Sequence, residues 1–145
     1  MQEKYLLKVD EEKVVIIKEY TEDYRDKVID FLIEVAINEF GFEEWRDYFN
    51  KAEFLKFDKS KENFWIAVDS YNNVVGTIGI INDTISNTAK LHSLYVKKQY
   101  RKKGIATILY DYSLRFAEES KYKSIILHTY INFSEAVKIY KRKRI

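Results

Sequence analysis

The chain contains no cysteine and no proline, and only four glycines and two histidines occur among its 145 residues. The absence of cysteine excludes disulfide bonds, thiolate metal sites and cysteine nucleophiles. Two histidines far apart in the sequence disfavour a histidine-based zinc site. No apolar run approaches the roughly 18 residues that a membrane-spanning helix needs, and residues 1–8 are too polar for a signal peptide. We therefore expect a cytoplasmic protein with no metal site and no membrane contact.

The overall composition, with 46% hydrophobic and 33% charged residues, is typical of a globular protein. The length suits one domain, and no repeat, linker or low-complexity stretch divides residues 1–145. The net charge of +2 is too small for a protein that coats nucleic acid. Aromatic residues make up 16% of the chain, so we expect a core rich in rings.

Hydrophobic spacing predicts an alternation of strands and helices along the chain. The predicted strands are 14–21, 64–68, 74–81, 89–96 and 124–128, and the predicted helices are 21–40, 43–57, 105–120 and 133–143. Thr21 is a candidate N-cap, Gly41 a candidate helix end, and Asn72 with Asn73 a candidate hairpin turn. This order predicts an α/β (α+β) fold, with a mixed central sheet and helices on both faces.

A basic segment carries the clearest chemical pattern, at the point where the strand 89–96 gives way to the helix that follows Gly104. The first N–H groups of a helix have no intrahelical partner, and with the helix dipole they form an anion site suited to a pyrophosphate. Gly104 has no Cβ to keep a phosphate away from the backbone, and Ala106 is also small. Five cations lie within seven residues here: Lys97, Lys98, Arg101, Lys102 and Lys103.

An arbitrary basic run is more often a solvated loop than a binding site. The strand, basic turn, glycine and helix in succession favour the anion site at Gly104. The spacing is not that of a phosphate-binding loop with a Gly-x-x-x-x-Gly-Lys-Ser/Thr pattern, nor that of a three-glycine dinucleotide fingerprint.

Two segments of the chain together resemble a known family. Leu94-Tyr-Val96 followed by Arg101-Lys-Lys-Gly-Ile-Ala106 resembles the Gln/Arg-x-x-Gly-x-Gly/Ala signature of the GNAT superfamily of N-acetyltransferases. Asn132-x-x-x-Ala136-x-x-x-Tyr140 resembles the second recurrent segment of that superfamily, and the predicted element order also matches. The resemblance implies a GNAT-like fold, acetyl-CoA as co-substrate, and transfer of the acetyl group to an amine of a small molecule or a protein.

The resemblance also implies roles for residues that would bind the coenzyme. Backbone amides of the loop would hold the diphosphate, namely those of Arg101, Lys102, Lys103, Gly104, Ile105 and Ala106. The strand residues Leu94, Tyr95 and Val96 would pair with the pantetheine arm, and one of their amides would polarise the thioester carbonyl. The strand 124–128 would splay away to admit the arm, and Asn132 would contact it.

The catalytic residues implied by the resemblance are fewer. The Tyr140 hydroxyl would lie near the sulfur and protonate the leaving thiolate; the alternative is a core aromatic on a helix stripe. By strand alternation His92 shares a face with Leu94 and Val96 unless a bulge intervenes, which makes it a candidate general base.

Other titratable residues keep alternatives open. His128 is a second candidate base, although either histidine can equally be an ordinary sheet residue. Glu34, Glu39 and Glu43 fall near the acceptor region of the superfamily, where they would attract a cationic amine or form a solvated helix face.

The sequence departs from the superfamily after Tyr140, where only Lys-Arg-Lys-Arg-Ile145 follows and the usual two further strands are missing. This predicts an unpaired edge beside 124–128. Three explanations stay open: a truncated or frameshifted gene, strands supplied by a partner in a homodimer, or pairing by the N-terminus of the same chain.

Three functions compete at this stage. The first is an acetyl-CoA-dependent N-acetyltransferase, and the second is a non-catalytic or degenerate relative that binds CoA. The third is a module that binds nucleic acid or another anionic partner through residues 97–103 and 138–144. Only Tyr100 interleaves the first basic run and the net charge is small, so we expect no nucleic-acid partner.

Overall fold

The structure, a computed structural model, describes residues 5–10, 13–83 and 85–127. In this part of the chain six strands form one sheet in the order β1-β2-β3-β4-β5-β6. The strands are β1 Tyr5–Asp10, β2 Lys13–Glu19, β3 Asn63–Asp69, β4 Val74–Asp83, β5 Thr88–Val96 and β6 Ser124–Leu127. Neighbouring strands are antiparallel except β5 and β6, which run parallel. The sheet is therefore mixed, as predicted.

The helices lie between these strands. They are α1 Arg25–Leu32, which continues into a π-helical segment Ile33–Glu39, then α2 Arg46–Lys51 and α3 Ile105–Glu119. Single 3₁₀ turns occur at Glu22–Tyr24, Glu43–Trp45, Glu53–Leu55 and Lys98–Tyr100. None of the helices among the described residues is long and apolar enough to cross a membrane.

Two hydrophobic cores cover the two faces of the sheet. Successive side chains of a strand point to opposite faces, so in β3 Phe64 and Ile66 pack with α1, the π-helical segment and α2. Trp65 and Ala67 of the same strand pack with α3 on the other face. The prediction of helices on both faces of a mixed sheet is confirmed.

The strand β1 was not predicted from the sequence. Its residues Leu6 and Leu7 are adjacent, so the segment lacks a clear alternation of apolar and polar residues. Leu6 is 67% exposed, whereas Leu7 and Val9 pack against a core. The strand pairs with β2 at the edge of the sheet opposite to β6. For residues 5–10, the idea that the N-terminus of the chain covers the edge at β6 is therefore wrong.

The predicted helix 21–40 exists, but it is not a single α-helix. Thr21 is extended and makes no side-chain cap, because its hydroxyl bonds to Asp23 instead. A 3₁₀ turn, an α-helix and the π-helical segment follow one another. Gly41 ends this run as predicted, with a left-handed φ of +78° and its N–H donated to the Ile37 carbonyl at 2.8 Å.

The predicted helix 43–57 is shorter in the structure, where the α-helix α2 stops at Lys51. Ala52 takes a left-handed φ of +55° and is buried. This bend turns the chain so that Phe54 and Leu55 reach the core on the α1 side. The predicted helix 133–143 lies outside the described residues.

Candidate functional site

The loop between β5 and α3 contains two residues with left-handed backbone. The Lys97 N–H still donates to the Val75 carbonyl at 2.8 Å, which continues the ladder with β4 by one residue. The φ angles of Lys102 and Gly104 are +61° and +92°. Glycine adopts such angles without steric cost, so Gly104 allows the sharp entry into α3.

Six consecutive backbone N–H groups of this loop, from Lys102 to Thr107, have no acceptor among the described residues. The first hydrogen bond of α3 runs from the Ile108 N–H to the Gly104 carbonyl at 3.1 Å. A Cβ placed on Gly104 would meet no atom within 4 Å, so the space beside it is open. We call the segment Arg101–Ala106 with these amides the diphosphate loop, because its unpartnered donors and the helix dipole match that group.

A β-bulge interrupts β5 just before this loop. Thr77 of β4 pairs with Tyr95 and Gly79 pairs with His92, so two β5 residues, Ser93 and Leu94, stand opposite one residue of β4. Ser93 has a left-handed φ of +54°. The buried Thr77 hydroxyl donates to the Ser93 carbonyl at 2.6 Å and fixes the bulge.

The bulge changes which face each β5 side chain occupies. His92 contacts the rings of Phe54 and Phe64 on the α1 side, whereas Leu94 and Val96 lie in the core on the α3 side. The shared face that strand alternation predicts for His92 in the absence of a bulge is therefore not formed, because a bulge does intervene. One extra residue inverts the alternation of side chains along a strand.

Beyond Leu91 the edge of β5 is open in the described part of the chain. The parallel ladder with β6 covers Thr88–Leu91, paired with Ser124–Leu127. The segment from His92 to Val96 keeps its antiparallel neighbour β4 and has no strand on its other side among the described residues. This edge leads directly into the diphosphate loop, so an extended ligand could pair with the strand and end at the loop.

The imidazole of His92 is largely enclosed between the sheet and the aromatic rings. Its Nδ1 lies 3.0 Å from the Ser93 hydroxyl, and its Nε2 lies 2.3 Å from the position a Cβ would take on Gly79. Burial lowers the pKa of His92 to about 4, so the ring is neutral at physiological pH. The proposed role of His92 as general base stays a prediction, and this low basicity weighs against it.

Arg101 does not stand as a free cation beside the loop amides. Its Nη1 and Nη2 donate to the two Glu39 carboxylate oxygens at 2.5 and 2.6 Å, and its Nε donates to the Val96 carbonyl at 2.8 Å. The guanidinium lies 5.2 Å from the centre of the Phe40 ring. The Arg101 hydrogen bonds hold the pKa of Glu39 below its usual range. Lys102 and Lys103, in contrast, are exposed and form no ion pair with a described residue.

The carboxylates that could attract an amine each have a basic partner. Glu34 lies 3.8 Å from the Lys97 ammonium, and Glu39 binds Arg101. Glu43 binds Arg46, whose hydrogen bond lowers the pKa of Glu43. Among the described residues, no cluster of three or more His, Asp and Glu side chains could hold a metal ion.

A series of aromatic rings leads from solvent to His92 on the α1 side. Trp45 and Tyr48 are 37% and 39% exposed, and their ring centres lie 5.4 Å apart. Tyr48 stacks on Phe54 with a centroid distance of 5.2 Å, and Phe54 meets His92 edge-on. This aromatic wall borders the face of the sheet on which the bulge places His92.

The structure therefore brings Leu94, Tyr95, Val96 and the diphosphate loop into one continuous region. Sequence analysis allowed for a bulge near His92 but did not locate it at Ser93 or identify its support by Thr77. It missed the Glu39–Arg101 pair, for which the sequence carries no local signal. The predicted residues Asn132, Tyr140 and His128 lie outside the described residues.

The comparison with protein families gives one match over most of the chain. The family model described as "Acetyltransferase (GNAT) family" matches residues 18–144. Among curated proteins, the chain is similar to the "Probable N-acetyltransferase san" of Drosophila melanogaster, with 33% identity over 78 residues. This match covers 50% of the chain and 41% of that relative; the chain thus spans less than half the length of that relative.

Solved structures of similar fold include two bacterial acetyltransferases. The GNAT-family acetyltransferase of Staphylococcus aureus Mu50 superposes with a TM-score of 0.72 at 30% identity, over 89% of this chain and 81% of that chain. The acetyltransferase of Streptococcus agalactiae 2603 gives a TM-score of 0.69 at 25% identity, over 88% of this chain and 80% of that chain.

Proposed function

Because the chain belongs to the acetyltransferase (GNAT) family, we propose that it transfers the acetyl group of acetyl-CoA to a primary amine of a small molecule or a protein. The observation that carries this proposal is the run of six N–H groups from Lys102 to Thr107, without a described acceptor, at the start of α3. Such a set of donors fits a diphosphate. Lys102 and Lys103 add two exposed positive charges beside it.

Acetyl-CoA, when bound, supplies an acetyl group activated as a thioester. The residues of this chain would hold it by two kinds of backbone contact. The diphosphate loop would bind the charged end through its amides, and the open edge of β5 after Leu91 would pair with the extended arm. Both supports point to the same ligand because the loop directly follows the strand.

The bulge at Ser93 and Leu94 is where we expect charge stabilisation. Along this edge of β5, regular pairing commits only the N–H groups that face β4, and the bulge leaves one residue outside that ladder. A backbone N–H at this point would donate to the carbonyl oxygen on which negative charge develops. Losing one such donor costs about 3–4 kcal/mol in comparable sites.

The reaction needs two proton transfers, one to the leaving thiolate and one from the amine. The resemblance gives Tyr140 the role of proton donor to the departing sulfur, and we propose this role for it. Burial lowers the pKa of His92 to about 4, so we assign it no part in removing a proton from an alkylammonium ion. We propose instead that the acceptor amine attacks in its neutral form, which is in equilibrium with the ammonium form in solution, and that it approaches along the aromatic wall of Trp45 and Tyr48.

Calorimetric titration with acetyl-CoA tests the binding half of this proposal. We expect saturable binding to the wild type, and about tenfold weaker binding at low salt after replacing both Lys102 and Lys103 with glutamine, because two exposed charges near a diphosphate are lost. The matched control replaces Lys121 and Lys123, two exposed lysines just beyond the other end of α3, and should bind as the wild type does. No heat on adding acetyl-CoA would refute the proposal.

Release of free thiol across a panel of primary amines tests the catalytic half. An enzyme releases CoA thiol in the presence of at least one amine, whereas a non-catalytic CoA-binding relative shows calorimetric binding and no thiol release. In the active case we expect Tyr140→Phe to lower kcat while the Kd for acetyl-CoA stays unchanged. Equal kcat in both proteins would remove Tyr140 from the mechanism.

A further inference from the structure

The Arg101 guanidinium contacts three residues from two separate segments of the chain. It forms a bidentate ion pair with Glu39 at the end of the π-helical segment. It also donates a 2.8 Å hydrogen bond to the Val96 carbonyl at the end of β5 and makes a cation–π contact with the Phe40 ring. The Arg101 and Glu39 side chains are only 26% and 30% exposed. An ion pair with two parallel bonds and limited exposure fixes geometry better than a single exposed contact does.

The π-helical segment directs two carboxylates towards the same stretch of chain. Glu34 lies near Lys97, and Glu39, five positions later, binds Arg101. In an α-helix, residues five apart point about 140° away from each other. A π-helix bonds residues five apart, as the 3.1 Å bond from the Phe40 N–H to the Val35 carbonyl does here. Its wider turn allows both acidic side chains to meet the chain that follows β5.

Arg101 carries no free charge for an anion in this arrangement. The Glu39 carboxylate already neutralises the guanidinium, and the Arg101 N–H donates to the Lys98 carbonyl at 3.2 Å. The donors left for an anion begin one residue later, at Lys102. The side chain of Arg101 instead connects the first residue of the diphosphate loop to the strand before it and to the helical segment beside it.

We propose that Arg101 is a positioning residue, and that the Glu39–Arg101 pair fixes the diphosphate loop so that the amides from Lys102 to Thr107 point at one anion. This inference rests on the proposed function, because the anion is the diphosphate of acetyl-CoA. It assigns Glu39, which lies 62 residues earlier in the chain, to the coenzyme site although it would not touch the coenzyme.

The direction in which Glu39→Gln changes the affinity for acetyl-CoA distinguishes a positioning role of Arg101 from direct binding of the diphosphate. If Arg101 bound the diphosphate itself, Glu39→Gln would remove a competing carboxylate and release the guanidinium, so acetyl-CoA would bind more tightly. If the pair positions the loop, the same substitution loosens the loop and acetyl-CoA binds more weakly. Glu39→Gln leaves every residue of the diphosphate loop, Arg101–Ala106, unchanged.

Calorimetry with acetyl-CoA should be carried out on the wild type, Glu39→Gln, Arg101→Gln and the double variant. We expect each single variant to bind at least tenfold more weakly, and the double variant to be no weaker than the singles, since either change alone breaks the pair. Arg101→Lys should not restore affinity, because an ammonium cannot form the two-bond contact. Asp47→Asn, which breaks an exposed pair with Lys51 on α2, is the matched control and should bind as the wild type does.

Hydrogen exchange on the ligand-free proteins tests the same inference without the coenzyme. The N–H groups of Lys97 and Tyr100 are bonded at 2.8 Å, and that of Phe40 at 3.1 Å. We expect faster exchange of these amides in Glu39→Gln and Arg101→Gln, and unchanged exchange in Asp47→Asn. Unchanged exchange in Glu39→Gln and Arg101→Gln would overturn the inference, and so would acetyl-CoA binding by Glu39→Gln that is as tight as or tighter than in the wild type. A wild type that binds no acetyl-CoA refutes the proposed function, and the exchange data then decide the positioning role alone.

Discussion

At the scale of single residues, His92 shows how strongly burial can set the chemistry of a side chain. Its ring lies against Phe54, Phe64 and Gly79, and burial lowers its pKa to about 4. In the unfolded chain this histidine should have its ordinary pKa of about 6.5. The folded and unfolded states therefore hold different numbers of protons on His92 between about pH 4 and pH 6.5.

This difference predicts a loss of stability in mild acid that depends on His92. Above pH 6.5 the ring is neutral in both states; as the pH falls towards 4, the unfolded state takes up a proton that the folded state excludes, which favours unfolding. We expect the free energy of unfolding of the wild type, relative to His92→Gln, to fall by up to about 2 kcal/mol between pH 7 and pH 5. Urea unfolding of both proteins at several pH values measures this, and parallel pH profiles would contradict it.

At the scale of elements, the contact between β4 and β5 depends on a glycine opposite a large ring. Gly79 pairs with His92, and a Cβ on Gly79 would lie 2.3 Å from Nε2 of that ring and 2.8 Å from Cδ2 of Phe64. The imidazole occupies the space that a side chain on β4 would need. The same pair of strands carries the Thr77-supported bulge, so the position of His92 and the shape of the site are linked.

We expect Gly79→Ala to destabilise the fold by about 1–3 kcal/mol, because the new methyl group overlaps with His92 and Phe64. Removal of the ring in His92→Ala relieves the closer of these two overlaps, whereas the overlap with Phe64 remains. The double variant should therefore lose less stability than the sum of the two single variants, with a coupling of about 1–2 kcal/mol. Chemical denaturation of the four proteins gives this cycle, and additive losses would show that Gly79 is not needed to accommodate His92.

At the scale of the whole molecule, the described residues form two cores that share one sheet. Phe64 and Ile66 of β3 belong to the core on the α1 side, and Trp65 and Ala67 of the same strand belong to the core on the α3 side. The strand cannot leave one core without leaving the other. The two faces should therefore unfold as one cooperative unit.

The two tryptophans allow this cooperativity to be measured. Trp65 is buried on the α3 side, and Trp45 stands 37% exposed in the aromatic wall on the α1 side. In Trp45→Phe the remaining tryptophan is Trp65, so the fluorescence reports the core on the α3 side. In Trp65→Phe the remaining tryptophan is Trp45, so the fluorescence reports the α1 side. We expect the urea midpoint by fluorescence to equal the midpoint by far-ultraviolet circular dichroism in each variant. An earlier midpoint for the Trp45 signal would show that the α1 side unfolds separately.

Local patterns predicted much of the fold. Side chains that alternate along β3, and those at helical spacing along α3, follow rules that act within a few residues. The helix boundaries were less predictable where tertiary packing decides them. Ala52 bends because Phe54 and Leu55 gain buried contacts, and the π-helical segment forms where Glu34 and Glu39 meet basic partners distant in sequence.

The sequence by itself determined the turn from β5 into α3 at Gly104, because a strand, a glycine that accepts a left-handed backbone and a helix start lie within ten residues there. Only the tertiary structure decided the contacts of two predicted site residues, Arg101 and His92. From the sequence, Arg101 is expected to be a free cation beside an anion, but in the structure it binds Glu39, 62 residues away. Strand alternation places His92 on the face of Leu94, but the bulge turns its side chain to the other face. Both outcomes depend on contacts between distant segments, and those form only when the sheet and helices pack.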